Sequence, residues 1–151
     1  MQISAKADYA LRATAELARA DTLPFKGEQL AKAQAIPLKF LENILLALKH
    51  AGIVNSQRGW AGGYSLARPA STITLADVIR AVDGPLANVR GLSPEQLEYH
   101  GAAGSLRDVW IAVRASLRVV LESVTLEDLC QGTLPPEVCE LIRAPDAWTR
   151  R

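Results

Sequence analysis

The sequence lacks the features that mark membrane proteins, secreted proteins and disulfide-rich proteins. No stretch approaches the ~18 consecutive apolar residues that a membrane-spanning helix needs. Two cysteines, Cys130 and Cys139, are too few for a disulfide scaffold or a four-thiolate zinc site. The first residues also lack the basic start and apolar run of a secretory signal peptide. We therefore expect a cytoplasmic protein with reduced thiols and no membrane partner.

Signatures of catalysis are also missing. No nucleophile–base pair stands in a recognisable setting, and no glycine-rich loop has the spacing of a phosphate-binding motif. Gly59, Gly62 and Gly63 do not fit a dinucleotide fingerprint, because no helix follows them at the right distance. The sequence predicts a protein that is not an enzyme and has no catalytic residues.

Apolar residues, by contrast, are plentiful. They make up 49% of 151 residues, and aromatic residues only 5%, so that alanine and leucine dominate. This length corresponds to about one domain by the usual range of roughly 100–200 residues. The composition favours a single, mostly helical domain with its own core.

The small net charge of +1 conceals an asymmetry. Residues 1–70 carry nine Lys and Arg against five Asp and Glu, giving +4, whereas residues 71–151 carry eight against eleven, giving −3. A basic first half indicates contact with a polyanion. A solvated basic face explains the same excess about as well.

Three helices are predicted in the first fifty residues. Ser4 is a good N-cap for a first helix that contains Tyr9 and Leu17 and ends near Ala20–Asp21. A shorter helix follows over 26–33, and Pro37 fits the first turn of a third, where its missing N–H costs nothing. The third helix carries one apolar stripe, Leu41, Ile44, Leu45 and Leu48.

The spacing then changes from helix to hairpin. Two short strands over 53–57 and 64–67 flank a glycine-rich connection, and Thr74 with Asp77 resembles a capping box for the next helix. Residues 86–105 read as a loop with at most a short helix over 94–99. A long amphipathic helix over 106–124 would span roughly 28 Å. A short helix over 126–130 and a loosely ordered tail complete the chain.

The fold class predicted is mostly α with a small β-hairpin. Three helices followed by a hairpin describe a winged helix-turn-helix domain, here residues 1–84. A loop follows over 85–105, a dimerisation helix with a short following helix over 106–130, and a C-terminal tail over 131–151. In such a domain the second helix of the helix-turn-helix projects into the DNA major groove.

Two groups of residues are candidates for DNA contact. The exposed face of the third helix would present Leu38, Lys39, Phe40, Glu42 and Asn43. Lys can bind guanine or phosphate, Asn can pair with adenine, and Glu can accept from cytosine N4, although a solvated face is the plainer interpretation. At the hairpin tip, Arg58 and Gly59 suit the narrow minor groove. Trp60 either joins them or packs back on the protein.

The long helix is too apolar to stand alone in solvent. Arg107, Arg114 and Arg118 mark a basic stripe that must face water or acidic groups. We therefore place a dimer seam on the other side. The seam consists of Trp110, Val113, Leu117 and Val120.

Several runs resemble the Rrf2 family of bacterial transcription regulators. They are residues 3–10, 36–42, 57–67, 74–79 and 82–84, and the most specific is the wing sequence Arg58-Gly59-Trp60-Ala61-Gly62-Gly63-Tyr64. The resemblance implies a homodimer that binds a pseudo-palindromic operator on double-stranded DNA and acts as a repressor. It implies that Glu42 and its neighbours read bases, that Arg58 enters a minor groove, and that Ser4, Lys6 and Tyr9 lie near phosphates.

The sequence departs from this family at one place. Many members hold an iron–sulfur cluster with three cysteines in the loop before the long helix, whereas residues 86–105 contain none. We therefore predict no cofactor and no metal site, and small buried side chains for Cys130 and Cys139. Two alternatives stay open: an interaction module that has lost DNA binding, and a redox sensor using cysteine or an unusual cluster. The effector, a small molecule or a protein, is also open.

Overall fold

The computed structural model describes residues 2–20 and 24–149. Within these ranges it contains seven α-helices and one two-stranded antiparallel sheet. The helices are α1 (Ala5–Arg19), α2 (Gly27–Gln34), α3 (Leu38–His50), α4 (Leu75–Asp83), α5 (Leu106–Leu121), α6 (Leu126–Gln131) and α7 (Pro136–Arg143). The strands are β1 (Val54–Gln57) and β2 (Gly63–Leu66), and three short 3-10 turns lie at Ala70–Thr72, Pro94–Gln96 and Gly101–Ala103. The predicted fold class is confirmed.

Helices α1 to α3 form because each buries an apolar stripe. The Ser4 side chain caps α1 by accepting from the Ala7 N–H at 2.9 Å, as the sequence indicated. The predicted stripe of α3 is buried completely, with Leu41, Ile44, Leu45 and Leu48 all at 0% exposure. The predicted end of the first helix at Asp21 lies outside the described residues, and α1 itself ends at Arg19.

A tight turn joins α2 to α3. Ala35 adopts the left-handed conformation at φ 50°, which ends α2, and the buried Ile36 donates its N–H to Ala31 at 2.9 Å. Pro37 then precedes α3 and accepts from the Leu41 N–H at 3.0 Å. This helix-turn-helix leaves one face of α3 free.

The hairpin follows the predicted strands and gains one connection that the sequence did not reveal. β1 and β2 pair in the register Val54↔Leu66 to Gln57↔Gly63. On the other edge of β2, Tyr64 exchanges two backbone hydrogen bonds of 2.8 Å with Phe25, just before α2. Gly63 is required at this place, because an added Cβ would lie 2.7 Å from the Phe25 carbonyl oxygen.

Helix α6 belongs to the winged domain and not with α5, where the sequence analysis grouped it. Thr74 and Thr125 form a bridge between the starts of α4 and α6, and the Leu126 N–H donates to Ile73 at 2.9 Å. Leu126 is fully buried in the same core as α1 and α3. The core of the winged domain is therefore completed by a segment from beyond the long helix.

Two sequence predictions for the second half need correction. Helix α5 ends at Leu121 instead of 124, because the chain turns there into the Thr74–Thr125 bridge, and Val124 is buried beside it. The tail predicted to be loosely ordered contains α7, which starts at Pro136 and buries Val138. A proline at the first helical position costs no hydrogen bond, so the proline pair opens a helix here.

The segment between α4 and α5 is a structured loop. Val89 and Leu92 exchange two backbone hydrogen bonds of 3.0 Å around Arg90 and Gly91, which both have positive φ. Leu97 anchors the segment with 2% exposure. Within residues 2–20 and 24–149, no helix is long and apolar enough to cross a membrane.

Candidate nucleic-acid interface

An open groove of about 660 Å³ runs between the free face of α3 and the hairpin, which we call the wing. One wall is formed by α3 and the start of α2, and the other by the strands and the connection between them. Its cationic side chains are Lys26, Lys49 and Arg58, and its anionic ones are Glu28 and Glu42. The cationic side chains of this surface attract phosphate groups, whereas its carboxylates repel them.

The five residues predicted on α3 are all exposed, but they do not share one surface. Glu42 and Asn43 line the groove. Phe40 packs edge-on against the ring of Tyr9 at 5.7 Å between centroids, and keeps 42% of its surface exposed. Leu38 is 37% exposed and approaches Gly27 of α2, while Lys39 is exposed outside the groove.

The structure adds groove residues that the sequence analysis missed. Leu46 is 51% exposed and lies on the same face as Asn43 and Lys49, which are three residues before and after it. Its position was a usable signal, since it is a leucine outside the buried stripe of α3. Lys26 and Glu28 at the start of α2 complete this part of the wall.

The tip of the wing carries Arg58, Gly59 and Trp60 together. Gly59 has φ 103°, a conformation that L side chains rarely adopt, and its N-terminal neighbour Arg58 lines the groove. Trp60 is 91% exposed and packs neither on the wing nor on α1. A Cβ at Gly62 would lie 2.2 Å from the Gln57 carbonyl oxygen, so this glycine is needed for the turn itself.

The residues predicted near phosphates lie at the N-terminal end of α1; they are Ser4, Lys6 and Tyr9. The side chains of Ser4 and Lys6 are held by the C-terminal end of α4. Ser4 Oγ donates to Asp83 Oδ2 at 2.5 Å, and Lys6 Nζ donates to the Val82 carbonyl at 2.6 Å. The ammonium thus satisfies an orphan carbonyl where the helix dipole favours a cation. It keeps two further donors for another acceptor. Tyr9 lies under the Arg12 guanidinium, 5.3 Å from the ring centroid.

The predicted seam of α5 is half buried against its own chain. Trp110, Val113, Leu117 and Val120 all have intermediate exposure. The Trp110 indole N–H donates to the Tyr99 hydroxyl at 3.1 Å, which ties this side to the loop. Val109, which borders this side of the helix, remains 50% exposed, and Val119, on a different side, remains 56% exposed. No residue of α5 is fully buried.

An ion pair holds the loop against α5. Arg114 donates to Glu95 at 2.6 Å, and Arg90 lies 6.0 Å from the Tyr99 ring centroid. The backbone N–H of Glu95 itself, followed by Arg114, holds the pKa of the Glu95 carboxyl below its ordinary value. The loop is therefore fastened by side chains of its own chain.

Both cysteines are free thiols in the C-terminal helices, and both are half-buried, so the predicted full burial of Cys130 and Cys139 is wrong. Cys130 donates to the Ala15 carbonyl at 3.3 Å, and burial raises the pKa of its thiol. Cys139 lies 3.5 Å from the Leu134 carbonyl. A raised pKa disfavours the reactive thiolate form, which weighs against a sensor role for Cys130.

The fold and the groove define a winged helix-turn-helix transcription regulator. The profile of Rrf2, described as an iron-dependent transcriptional regulator, matches residues 3–132, and the chain belongs to this family. The protein Rv1287 of Mycobacterium tuberculosis, provisionally named an HTH-type transcriptional regulator, is 49% identical over 142 residues, covering 93% of this chain and 88% of the relative. The protein is accordingly a regulator and not an enzyme.

Two solved structures share this fold at substantial identity. The structure of CymR, the global cysteine regulator of Bacillus subtilis, superposes with a TM-score of 0.73 at 35% identity, covering 88% of this chain and 98% of that one. IscR of T. potens gives 0.71 at 30% identity, covering 87% and 88%. The resemblance predicted from the sequence is confirmed.

The iron implied by the family description does not fit the residues present. Within residues 2–20 and 24–149, no three His, Cys, Asp or Glu side chains come together in a set that suits a metal ion. Among the donors of the loop, Glu95 is paired with Arg114 and the Tyr99 hydroxyl accepts from Trp110. Iron–sulfur clusters need thiolates, and both cysteines lie in α6 and α7.

Proposed function

We propose that the protein binds double-stranded DNA as a homodimer, at a pseudo-palindromic operator, and represses transcription there. The observation that carries this proposal is the groove, in which the free face of α3 stands beside an exposed wing tip with Arg58. A helix of this size fits the major groove, and an arginine on a hairpin suits the adjacent minor groove. A cytoplasmic location follows from the same proposal, because the DNA is there.

The residues of the interface have different roles in this proposal. Glu42 and Asn43 face the groove and read base edges, because a carboxylate accepts from cytosine N4 and an amide pairs with adenine. Four residues that lie outside that groove contact phosphates in this proposal, namely Lys39, Ser4, Lys6 and Tyr9. Leu38 and Phe40 pack at the edge of α3, and Gly59 lets the wing approach the duplex.

The proposal is tested with operators selected from randomised duplexes. Arg58→Ala should weaken binding by about 1–3 kcal/mol, the range for one good groove contact. Its thermal stability should stay unchanged, because the side chain extends from the tip. Glu42→Ala should alter the preferred bases, whereas Lys39→Ala should weaken all sequences alike and reduce the salt slope by about one unit. Unchanged affinity in all three variants would overturn the interface.

The homodimer is proposed from α5. The predicted seam of Trp110, Val113, Leu117 and Val120 is half buried, and Val109, four residues before Val113, extends it into solvent. An isologous contact between two copies of α5 would cover this strip. It would also place two α3 helices on one face of the duplex, as a palindromic site requires.

The two alternatives make different predictions. An interaction module would select no DNA sequence, and its groove variants would leave DNA binding at the non-specific level. A redox sensor would lose DNA affinity on oxidation, and Cys130→Ser and Cys139→Ser would remove that response. The effector, a small molecule or a protein partner, would be sought by its effect on the affinity for the selected operator.

A further inference from the structure

Trp60 is the most exposed large apolar side chain of the described residues, and its place in the fold is unusual. It is 91% exposed at the tip of the wing. Within residues 2–20 and 24–149 it makes no hydrogen bond or ring contact, whereas Trp148, 82% exposed, donates to the Ile142 carbonyl at 2.8 Å. An indole is a large apolar surface to leave in water, so a site that covers it gains free energy.

The shape of the wing decides what that site is. Two paired strands are separated by about 4.8 Å before their side chains are added, and the minor groove of B-DNA is only about 6 Å wide. The body of the wing therefore stays outside, and its tip alone enters. Gly59 has no side chain, and the space around it is open. The side chains of its neighbours Arg58 and Trp60 are therefore the first to enter the groove.

We propose that Trp60 is a wedge that enters the minor groove and stacks against a base step, so that the wing selects a deformable step of the operator. This rests on the proposed DNA binding and names what one part of the DNA must be. Apolar side chains inserted in the minor groove partly unstack the duplex. Pyrimidine–purine steps such as TA and CA/TG require the least free energy for that deformation.

Arg58 favours a second feature of the same DNA, which is a high A·T content. A guanidinium is attracted to the narrow, electronegative minor groove of A·T-rich DNA. The two leading residues of one wing together therefore specify A·T-rich sequence that is interrupted by a flexible step. Sequence preference then arises at base pairs that α3 does not reach, through the energy of deformation instead of hydrogen bonds to base edges.

The proposal is tested with two duplexes of the same composition. Alternating poly(dA–dT) contains TA steps, whereas the homopolymer poly(dA)·poly(dT) has none and is stiff. The wild-type protein should prefer the alternating duplex, and its tryptophan emission should be quenched there. Trp60→Ala should lose both, with affinity for the alternating duplex falling about 5- to 150-fold for each wing, the value of one aromatic–base stack.

Two further variants serve as controls. Trp60→Phe keeps an aromatic ring and should retain the preference while losing the emission change. Trp148→Phe removes the other exposed indole, which lies in the C-terminal segment, and should keep both. The same readout is then repeated on an operator selected by the wild type, with its TA step under the wing changed to AA.

The outcomes separate this inference from the proposed function. If the wild type selects an operator but Trp60→Ala binds both polymers and that operator as the wild type does, the wedge is wrong and DNA binding stands. If Trp60→Ala weakens both polymers equally, Trp60 contacts the backbone and the wedge is also wrong. If the wild type selects no DNA, the proposed function itself fails.

Discussion

The winged domain and the long helix α5 use the same apolar periodicity and reach different degrees of burial. In α3, Leu41, Ile44, Leu45 and Leu48 have no exposed surface. In the 16 residues of α5, an equally regular stripe leaves no residue fully buried. The difference is the number of partners, because α3 is surrounded by α1, α2, α4 and the wing, whereas α5 contacts the 3-10 turn at Pro94–Gln96 and a small part of α4.

This comparison shows which part of the molecule is complete by itself. An isolated helix of about 16 residues is marginal in water unless an apolar face is packed. The winged domain has its own core, completed by Leu126 of α6, so its stability is internal. Helix α5 keeps Val109 and Val119 at least half exposed, and the proposed dimer would cover the part of this apolar surface that borders the seam. We expect variants in the two regions to differ in whether their effects depend on protein concentration.

The largest expected effect is in the core of the winged domain. Leu45→Ala should lower the free energy of unfolding by about 2–5 kcal/mol, because it removes a fully buried side chain and leaves a cavity. Leu46→Ala is the matched control, since the neighbouring leucine is 51% exposed. It should change stability by less than about 0.5 kcal/mol and weaken DNA binding instead. Denaturant unfolding measures the stability of both variants. Equal losses of stability would contradict the difference in burial between Leu45 and Leu46.

The sequence was sufficient for the elements that bury an uninterrupted stripe. The third helix was predicted from the spacing of Leu41, Ile44, Leu45 and Leu48, and the hairpin from its glycine-rich connection. The sequence did not reveal the Phe25–Tyr64 pairing, because a single bridged residue has no periodicity. The Thr74–Thr125 bridge joins segments that are distant in the chain, so local patterns give no information on it.

The candidate site was predictable in its types of residue and less so in its geometry. The arginine–glycine sequence predicted Arg58 at the hairpin tip, and the structure places it beside the groove, while its contact with DNA stays a prediction. The sequence did not reveal that Gly62 and Gly63 are required by the turn itself, where an added Cβ would clash with the backbone of Gln57 and Phe25. Whether Trp60 is exposed or packed depends on the shape of the turn, which composition does not determine.

The second prediction concerns the incomplete burial of α5. Val109→Glu should convert dimers into monomers at micromolar concentration, because Val109 borders the proposed seam and the variant places like charges across a two-fold contact. The dissociation constant of the dimer should rise at least about tenfold, which is about 1.4 kcal/mol. Leu141→Glu on α7 is the matched control, since Leu141 is 53% exposed and Val109 is 50% exposed. Analytical ultracentrifugation measures the change.

A companion variant distinguishes a contact through the half-buried seam, which was predicted from the sequence, from a contact through the exposed Val109 beside it. Val113→Glu combined with Leu117→Glu should abolish the dimer and also destabilise the monomer, because both side chains are half buried against their own chain. Monomers of unchanged stability, together with an intact dimer for Val109→Glu, would confine the contact to the seam. A wild-type protein that is monomeric at these concentrations would exclude the dimer altogether.

The smallest expected effect sharpens the comparison through pH. Partial burial acts to raise the pKa of Asp77, but hydrogen bonds from the Thr74 backbone and from Arg68 outweigh it and hold the pKa below its ordinary value of 3.8. A carboxyl whose pKa is lowered on folding stabilises the fold above its unfolded pKa. That contribution is lost as the pH falls from about 3.8 through the folded pKa.

Asp77→Asn should therefore cost about 0.5–1 kcal/mol near pH 7, in the lower range for capping interactions because the side chain is one-third exposed. The difference from the wild type should vanish below the folded pKa, where Asp77 is itself protonated. Glu95→Gln is the counterpart in the second region, and it breaks the ion pair that fastens the loop to Arg114. Since that pair holds the loop and not the core, Glu95→Gln should raise amide exchange around Leu97 and leave the unfolding midpoint of the winged domain unchanged. Equal shifts of that midpoint in both variants would mean that the loop and the winged domain unfold as one unit, and the distinction between the two regions would fail.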